Sequence, residues 1–294
     1  MISRRRRERP EEPISELRMA DIPPLRHPVV IASFEGWNDA GDAASTATAY
    51  FARAWKAQPF AEIDPEEFVD FTEHRPEVRI VEGETRQIIW PTTVFASASP
   101  EGSASDFVVV RGYEPQMRWK AFCDLVVDAV RQIGAESVIT LGSLLAEVAH
   151  TSPVPIVATS NDPETLKRYA LSRSRYEGPT GIVGVLHAAF AAAGIPSLSL
   201  WASVPYYVPQ ITSPKAALAL VTRAESVIGV EVDRSDLEEL ATSYEAEVDA
   251  LVADDDDISA YVARLQEIGE DPDEVTYHDI ADEVERFLRD HRKH

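Results

Sequence analysis

The stretch Val29-Val30-Ile31-Ala32-Ser33-Phe34-Glu35-Gly36-Trp37-Asn38-Asp39-Ala40-Gly41-Asp42 decides the fold. Its first half is an apolar run, read as a buried strand over 28–34. Its second half packs an aromatic, an amide, three carboxylates and two glycines into eight residues. An Ala-rich helical pattern follows over 42–56, so a strand ends at a loop that opens a helix. Loops at strand ends are where α/β folds place ligands.

Two readings of residues 35–42 stand side by side. In one, Asn38, Asp39 or Asp42 caps the helix, the helix dipole stabilises the carboxylates, and the glycines permit the turn. In the other, Glu35, Trp37, Asn38 and Asp39 hold a cation, an amine or the hydroxyl groups of a small ligand. A phosphate cradle is disfavoured, because three acids repel phosphate and no GxxxxGK[ST] motif occurs.

Outward from this loop, the pattern alternates strand and helix. A hairpin is expected from 79–82 and 86–90 around Gly83-Glu84. Strands follow over 92–98 and 106–110, then a helix over 114–133. A short buried strand over 138–141 ends at Gly142-Ser143, and another spans 153–159. The small apolar segment 180–193 reads as a helix closed by Gly194. A last strand covers 197–203. The order implies a three-layer α/β/α sandwich with a mixed sheet.

From Pro214 onward the pattern is helical only, over 214–228, 235–253, 257–268 and 276–291. Residues 231–294 hold 22 acids against 6 bases, so most of the net charge of −22 lies there. This segment reads either as a solvated acidic helical extension or as a docking surface for a basic partner. The expected division is therefore a basic tail over 1–24, a core over 25–230 and an acidic helical extension over 231–294.

Composition sets further bounds. At 294 residues and 45% hydrophobic, the chain supports one large core. The longest apolar candidate, 182–200, is interrupted by Gly184, His187, Gly194 and Pro196, so no membrane span is expected. Arg4-Arg5-Arg6-Arg7 is not followed by an apolar segment, and reads as a mobile tail rather than a secretory signal. The overall negative field repels nucleic acid and anionic membranes. The single cysteine, Cys123, excludes an intrachain disulfide and reads as core packing, which fits a reducing cytoplasm.

Other candidate chemistry is sparse. Gly142-Ser143 lacks the G-x-S-x-G pattern, and reads as a turn rather than a nucleophile. Glu177-Gly178-Pro179-Thr180-Gly181 opens a helix; it either caps that helix or offers backbone N–H groups to an anion. Seven histidines show no metal-ligand spacing, and no metal or cofactor is expected. His187 reads as a core or interface residue, and Tyr206-Tyr207 as packing or a pocket wall.

Four segments together resemble the proteasome assembly chaperone family in its bacterial branch. They are Glu35-Gly36-Trp37-Asn38-Asp39-Ala40-Gly41, then Gly178-Pro179-Thr180-Gly181-Ile182-Val183-Gly184-Val185-Leu186, then Gly194-Ile195-Pro196, and the run from Ser213-Pro214 through Val232-Asp233. The likeness covers residues 28 to about 245. It implies an α/β/α fold akin to nucleoside phosphorylases and a homo-oligomer of small-ring symmetry, such as a trimer. Eukaryotic and archaeal relatives assist assembly of proteasome subunits. Some members carry a ligase label, for which this chain shows no nucleotide-binding motif. Archaeal members end in a hydrophobic–Tyr–any motif, whereas this chain ends Arg289-Asp290-His291-Arg292-Lys293-His294. The resemblance implies a chaperone-like oligomeric binding protein with a protein partner. The rival expectations are a small-molecule enzyme or sensor, with Gly142, Ser143, Thr180 and Gly181 completing the site begun by residues 35–39, and a purely structural oligomer.

Overall fold

A computed structural model describes residues 16–20, 22–81, 85–174 and 176–268. Eleven strands and seven α-helices are present among them. In chain order they are β1 (Leu17–Met19), β2 (Val29–Glu35), α1 (Ala43–Ala54), β3 (Gln58–Ile63), β4 (Glu77–Val81), β5 (Thr85–Ile89), β6 (Thr93–Ala98) and β7 (Phe107–Tyr113). Then come α2 (Trp119–Gln132), β8 (Ser137–Ala146), β9 (Ile156–Ser160), α3 (Pro163–Arg168), β10 (Ser172–Arg173), α4 (Ile182–Ala192), β11 (Ser197–Pro205), α5 (Pro214–Ile228), α6 (Ser235–Ala253) and α7 (Asp256–Ile268).

Nine strands form one sheet in the order β1-β3-β6-β7-β2-β8-β11-β9-β10. The central four, β7, β2, β8 and β11, are mutually parallel. β6 and β3 continue antiparallel on one side, and β9 turns antiparallel to β11 on the other. The sheet is covered on both faces. Alternate residues of β2 divide between two cores: Val30, Ala32 and Phe34 pack with α2 and α4, whereas Ile31 packs with α1 and α5. A strand buried on both faces needs apolar residues at every position, which is why its sequence reads as a continuous run. The expected three-layer α/β/α sandwich with a mixed sheet is present.

The hairpin expected around Gly83-Glu84 forms as β4 and β5, which among the described residues pair only with each other. Cys123 lies in the α2 core, and burial pushes its thiol up to about 12, so it is a packing residue.

Several expectations need correction. The tail expected over 1–24 overreaches, because Leu17–Met19 pairs antiparallel with Ala61–Ile63 at the sheet edge. Ala20 N–H donates to Phe60 O at 2.8 Å, and the Arg18 guanidinium reaches Glu62 and Asp64, so backbone pairing outweighs the polar composition. β3 carries Pro59 and a register shift between Pro59 and Ala61, features that hide a strand from pattern reading. The helix expected from 114 begins at Trp119, since Arg118 just before it has φ +52°, outside the helical region. β8 does not stop at Leu141. It runs through Gly142-Ser143 to Ala146, because β11 pairs with it over its whole length.

The C-terminal helices α5, α6 and α7 fall where the sequence places them; the segment 276–291 lies outside the described residues. α6 and α7 are not merely solvated. Tyr244, Val248, Val252, Val262 and Leu265 form a third buried cluster with Ala149 and Val208. Buried His150 adds polar ties, its Nε2 lying 2.9 Å from Asp249 Oδ1 and its carbonyl accepting from Lys215 Nζ at 2.6 Å. The acid run between these helices acts as a stop and start signal: α6 ends at Ala253, and Asp255 Oδ1 accepts from the N–H groups of Asp257 and Ile258.

Candidate functional site

The parallel strands all point their C-terminal ends to one edge of the sheet. There the loop after β2 meets the segment after β7, the end of β8 and the start of α4. The turn itself depends on glycine. Gly36 has φ +128° and Gly41 φ +57°, conformations that side chains with a Cβ rarely adopt.

Asp39 is the cap that the sequence anticipates. Its Oδ1 accepts from Ala44 N–H at 2.7 Å and Ser45 N–H at 3.1 Å, two orphan donors of the first turn of α1. Asp42 makes no side-chain cap; its Oδ2 accepts instead from Thr212 Oγ1 at 3.1 Å. Asp39 is 5% exposed, and its Oδ2 is buried without a hydrogen-bond partner. Burial raises its pKa, the capping bonds oppose that shift, and the charge of Asp42 adds to it. Glu35 remains at the surface. Partial loss of solvation, then the charges of Asp39 and Asp42, raise its pKa, against the pull of Arg111 and the Tyr113 hydroxyl.

Asn38 is fully buried, and a residue that sequence reading passed over explains why. Glu114, the first residue after β7, accepts from Asn38 Nδ2 at 2.7 Å and Ile182 N–H at 2.7 Å through Oε1, and from Trp37 N–H at 3.3 Å through Oε2. One carboxylate thus clamps the β2 loop to the start of α4. Gly181 sits inside the clamp: a Cβ there would lie 2.1 Å from Asn38 Nδ2 and 2.5 Å from Glu114 Oε1. The signal for Glu114 is a single acid directly after the strand that begins with the apolar run Phe107–Val110.

Ser143 is also a scaffold residue. It is wholly buried; its N–H donates to Asn38 O and its Oγ to Ala40 O, both at 2.8 Å. A hydroxyl so placed holds the loop and is closed to a substrate. Gly142 serves a different neighbour, because a Cβ at this position would lie 2.6 Å from the Trp201 ring. Thr180 stays exposed ahead of α4, its hydroxyl standing where a Gly184 Cβ would be.

The eight expected site residues therefore separate. Asn38, Asp39, Gly142, Ser143 and Gly181 build the framework. Glu35 lies on the surface beside it. Trp37 and Thr180 reach a cleft of about 210 Å³ whose other walls include Tyr176, His187, Ser199 and Trp201. Trp201, Tyr176 and His187 complete a lining that the loop motif alone did not disclose. Burial lowers the His187 pKa, so its imidazole is neutral near pH 7; its Nδ1 lies 3.2 Å from Ser197 Oγ. Among the described residues, no cluster of His, Cys, Asp or Glu could hold a metal ion, and no helix is long and apolar enough to cross a membrane.

An open-edged mixed sheet with a parallel centre between two helical layers, with a glycine-shaped loop and aromatic cleft at the C-terminal ends of its parallel strands, defines the class. The PAC2 family model matches residues 33–252, and the chain belongs to the PAC2 family. It is 44% identical to a PAC2 family protein from Streptomyces avermitilis of known structure, with TM-score 0.75, covering 80% of this chain and 99% of that one. It is 43% identical to a Mycobacterium tuberculosis proteasome-assembly chaperone homologue, with TM-score 0.73 and the same coverage of 80% and 99%. A Pyrococcus furiosus archaeal proteasome activator shares the fold at 18% identity, with TM-score 0.64, covering 80% and 97%. No curated protein matches the chain. The family match takes in nearly all of α6, so the shared region reaches further than residue 245.

Proposed function

We propose that the chain is a chaperone-like, protein-binding factor that acts in assembly of a protein complex. The observation that carries this is the hairpin of β4 and β5. Val78, Ile80 and Ile88 lie on one face of it and are 57%, 66% and 48% exposed. Trp90, packed against Phe71, extends the apolar surface at 48% exposure. An exposed apolar strip on a strand pair that is not hydrogen-bonded into the main sheet is the signature of a contact surface. In the β2 loop, Asn38 Nδ2 and Asp39 Oδ1 are meanwhile committed to the framework.

The similarity to the Mycobacterium tuberculosis assembly-chaperone homologue supports the same reading. The net charge of −22 favours a partner with a basic rim around an apolar contact. The working form is a homo-oligomer, a trimer by the family resemblance, in the cytoplasm. Co-purification of the purified chain with the host's own proteasome subunits tests the proposal, with an Ile80→Glu, Ile88→Glu variant alongside. Capture by the wild type and loss in the variant, at an unchanged melting temperature, is the expected result. Failure of the wild type to retain any of these subunits refutes it.

A further inference from the structure

The cleft beside Trp37 carries a second, separate inference. β11 is covered on both faces, yet its residues alternate. Leu198, Leu200, Ala202 and Val204 pack into the α1–α5 core. The opposite positions are Ser197, Ser199, Trp201 and Ser203. Buried hydroxyls on the inner face of a doubly covered strand are unfavourable unless something bonds to them.

Register gathers more hydroxyls at the same level. Ser199 lies opposite Thr140 of β8 on one side and Thr159 of β9 on the other. Thr140 Oγ1 and Ser199 Oγ are 2.8 Å apart. The result is a polar row across the sheet floor, and Ser199 and Thr159 open from it into the cleft. One row further along, Trp201 occupies the space that Gly142 leaves. Trp37 and Tyr176 stand at the mouth, 36% and 38% exposed. On the helix side, Gly184 withholds a side chain and His187 contributes a neutral imidazole.

Among the described residues, no charged side chain lines this space. A charged ligand would lose its hydration, and none of these lining residues supplies a counter-ion. A flat ring would instead meet three aromatic side chains, and its edge would meet hydroxyls and an imidazole. We propose that this cleft binds an uncharged, ring-shaped small molecule bearing hydrogen-bonding groups on one edge. The site lies on the sheet edge and uses no hairpin residue, so it stands or falls apart from protein binding.

Three probes of similar size test it by ligand-observed NMR on the full chain: benzamide, benzoate and protonated benzylamine. Benzamide is expected to bind, with both charged probes weaker by about tenfold or more. Trp37→Ala and Tyr176→Ala, at exposed positions, are expected to weaken benzamide about tenfold without lowering the melting temperature. Three results each overturn the inference: no benzamide binding by the wild type, equal binding of the charged probes, or undiminished binding by both variants.

Discussion

The Glu114 carboxylate receives the Asn38 amide at 2.7 Å, and through this contact the end of β7 fixes the loop after β2. The same oxygen takes the first N–H of α4. Three elements distant in sequence are thereby joined at the edge of the sheet where the cleft opens. Hydrogen bonds to a charged acceptor in a partly buried setting are the strong kind.

Glu114→Ala should therefore cost about 2–3 kcal/mol in urea unfolding, since it leaves the Asn38 amide and Ile182 N–H without their acceptor. Glu114→Gln keeps one oxygen for those donors and should cost clearly less. Equal losses for the two variants would mean that a neutral acceptor oxygen at this position does not hold the loop.

Asp39 gives a pH signature. Its folded pKa is raised, so the folded state holds the proton more tightly than the unfolded chain. Folding then takes up a proton between the ordinary aspartate value and the raised one, and stability falls as pH rises through that window. Above it the penalty is complete. Asp39→Asn retains an oxygen for Ala44 and Ser45 N–H and cannot ionise. Its stability should decline less than the wild type's as pH rises from about 4. Asp39→Ala should instead lose about 1–2 kcal/mol through the missing cap. Stability curves measured by urea unfolding across pH separate the two effects.

Gly142→Ala places a methyl group against the Trp201 ring, which packs on the α2–α4 core. The ring must swing aside, at a cost of about 1–3 kcal/mol. A changed near-ultraviolet circular dichroism spectrum, together with the lower unfolding midpoint, would report the displaced indole. A variant with wild-type spectrum and stability would show that Trp201 does not depend on this glycine.

The acidic helices should contribute to stability through one face only. Val248 is fully buried, whereas Leu240 on the same helix is 55% exposed. Val248→Ala is expected to cost about 2 kcal/mol, from lost methyl burial and the cavity left behind. Leu240→Ala should stay within about 0.5 kcal/mol of the wild type. Equal losses in thermal or urea unfolding would contradict the docked arrangement.

Much of this fold is legible in the chain itself. The continuous apolar runs of β2, β7 and β8 mark strands buried on both faces, and the helical pattern after Pro214 marks α5, α6 and α7 closely. Local chemistry also identifies the β2 loop and an aspartate cap. The strands toward the β1 edge are less visible. β3 carries a proline and is held by β6, and β1 has only three residues and is held by β3.

The candidate site divides in the same way. Sequence alone determined the strand–loop–helix unit at residues 29–54, the glycines that shape it, and the family to which these segments point. Those are short-range matters of periodicity, backbone freedom and capping. Only the tertiary structure decided that Asn38, Asp39 and Ser143 serve the framework, because that depends on Glu114 and on the register of β8 against β2. It also decided that Trp37 and Thr180 share a cleft with Tyr176, His187 and Trp201. Those residues come from four separate segments, and parallel strand order, set by long-range pairing, is what brings them to one edge.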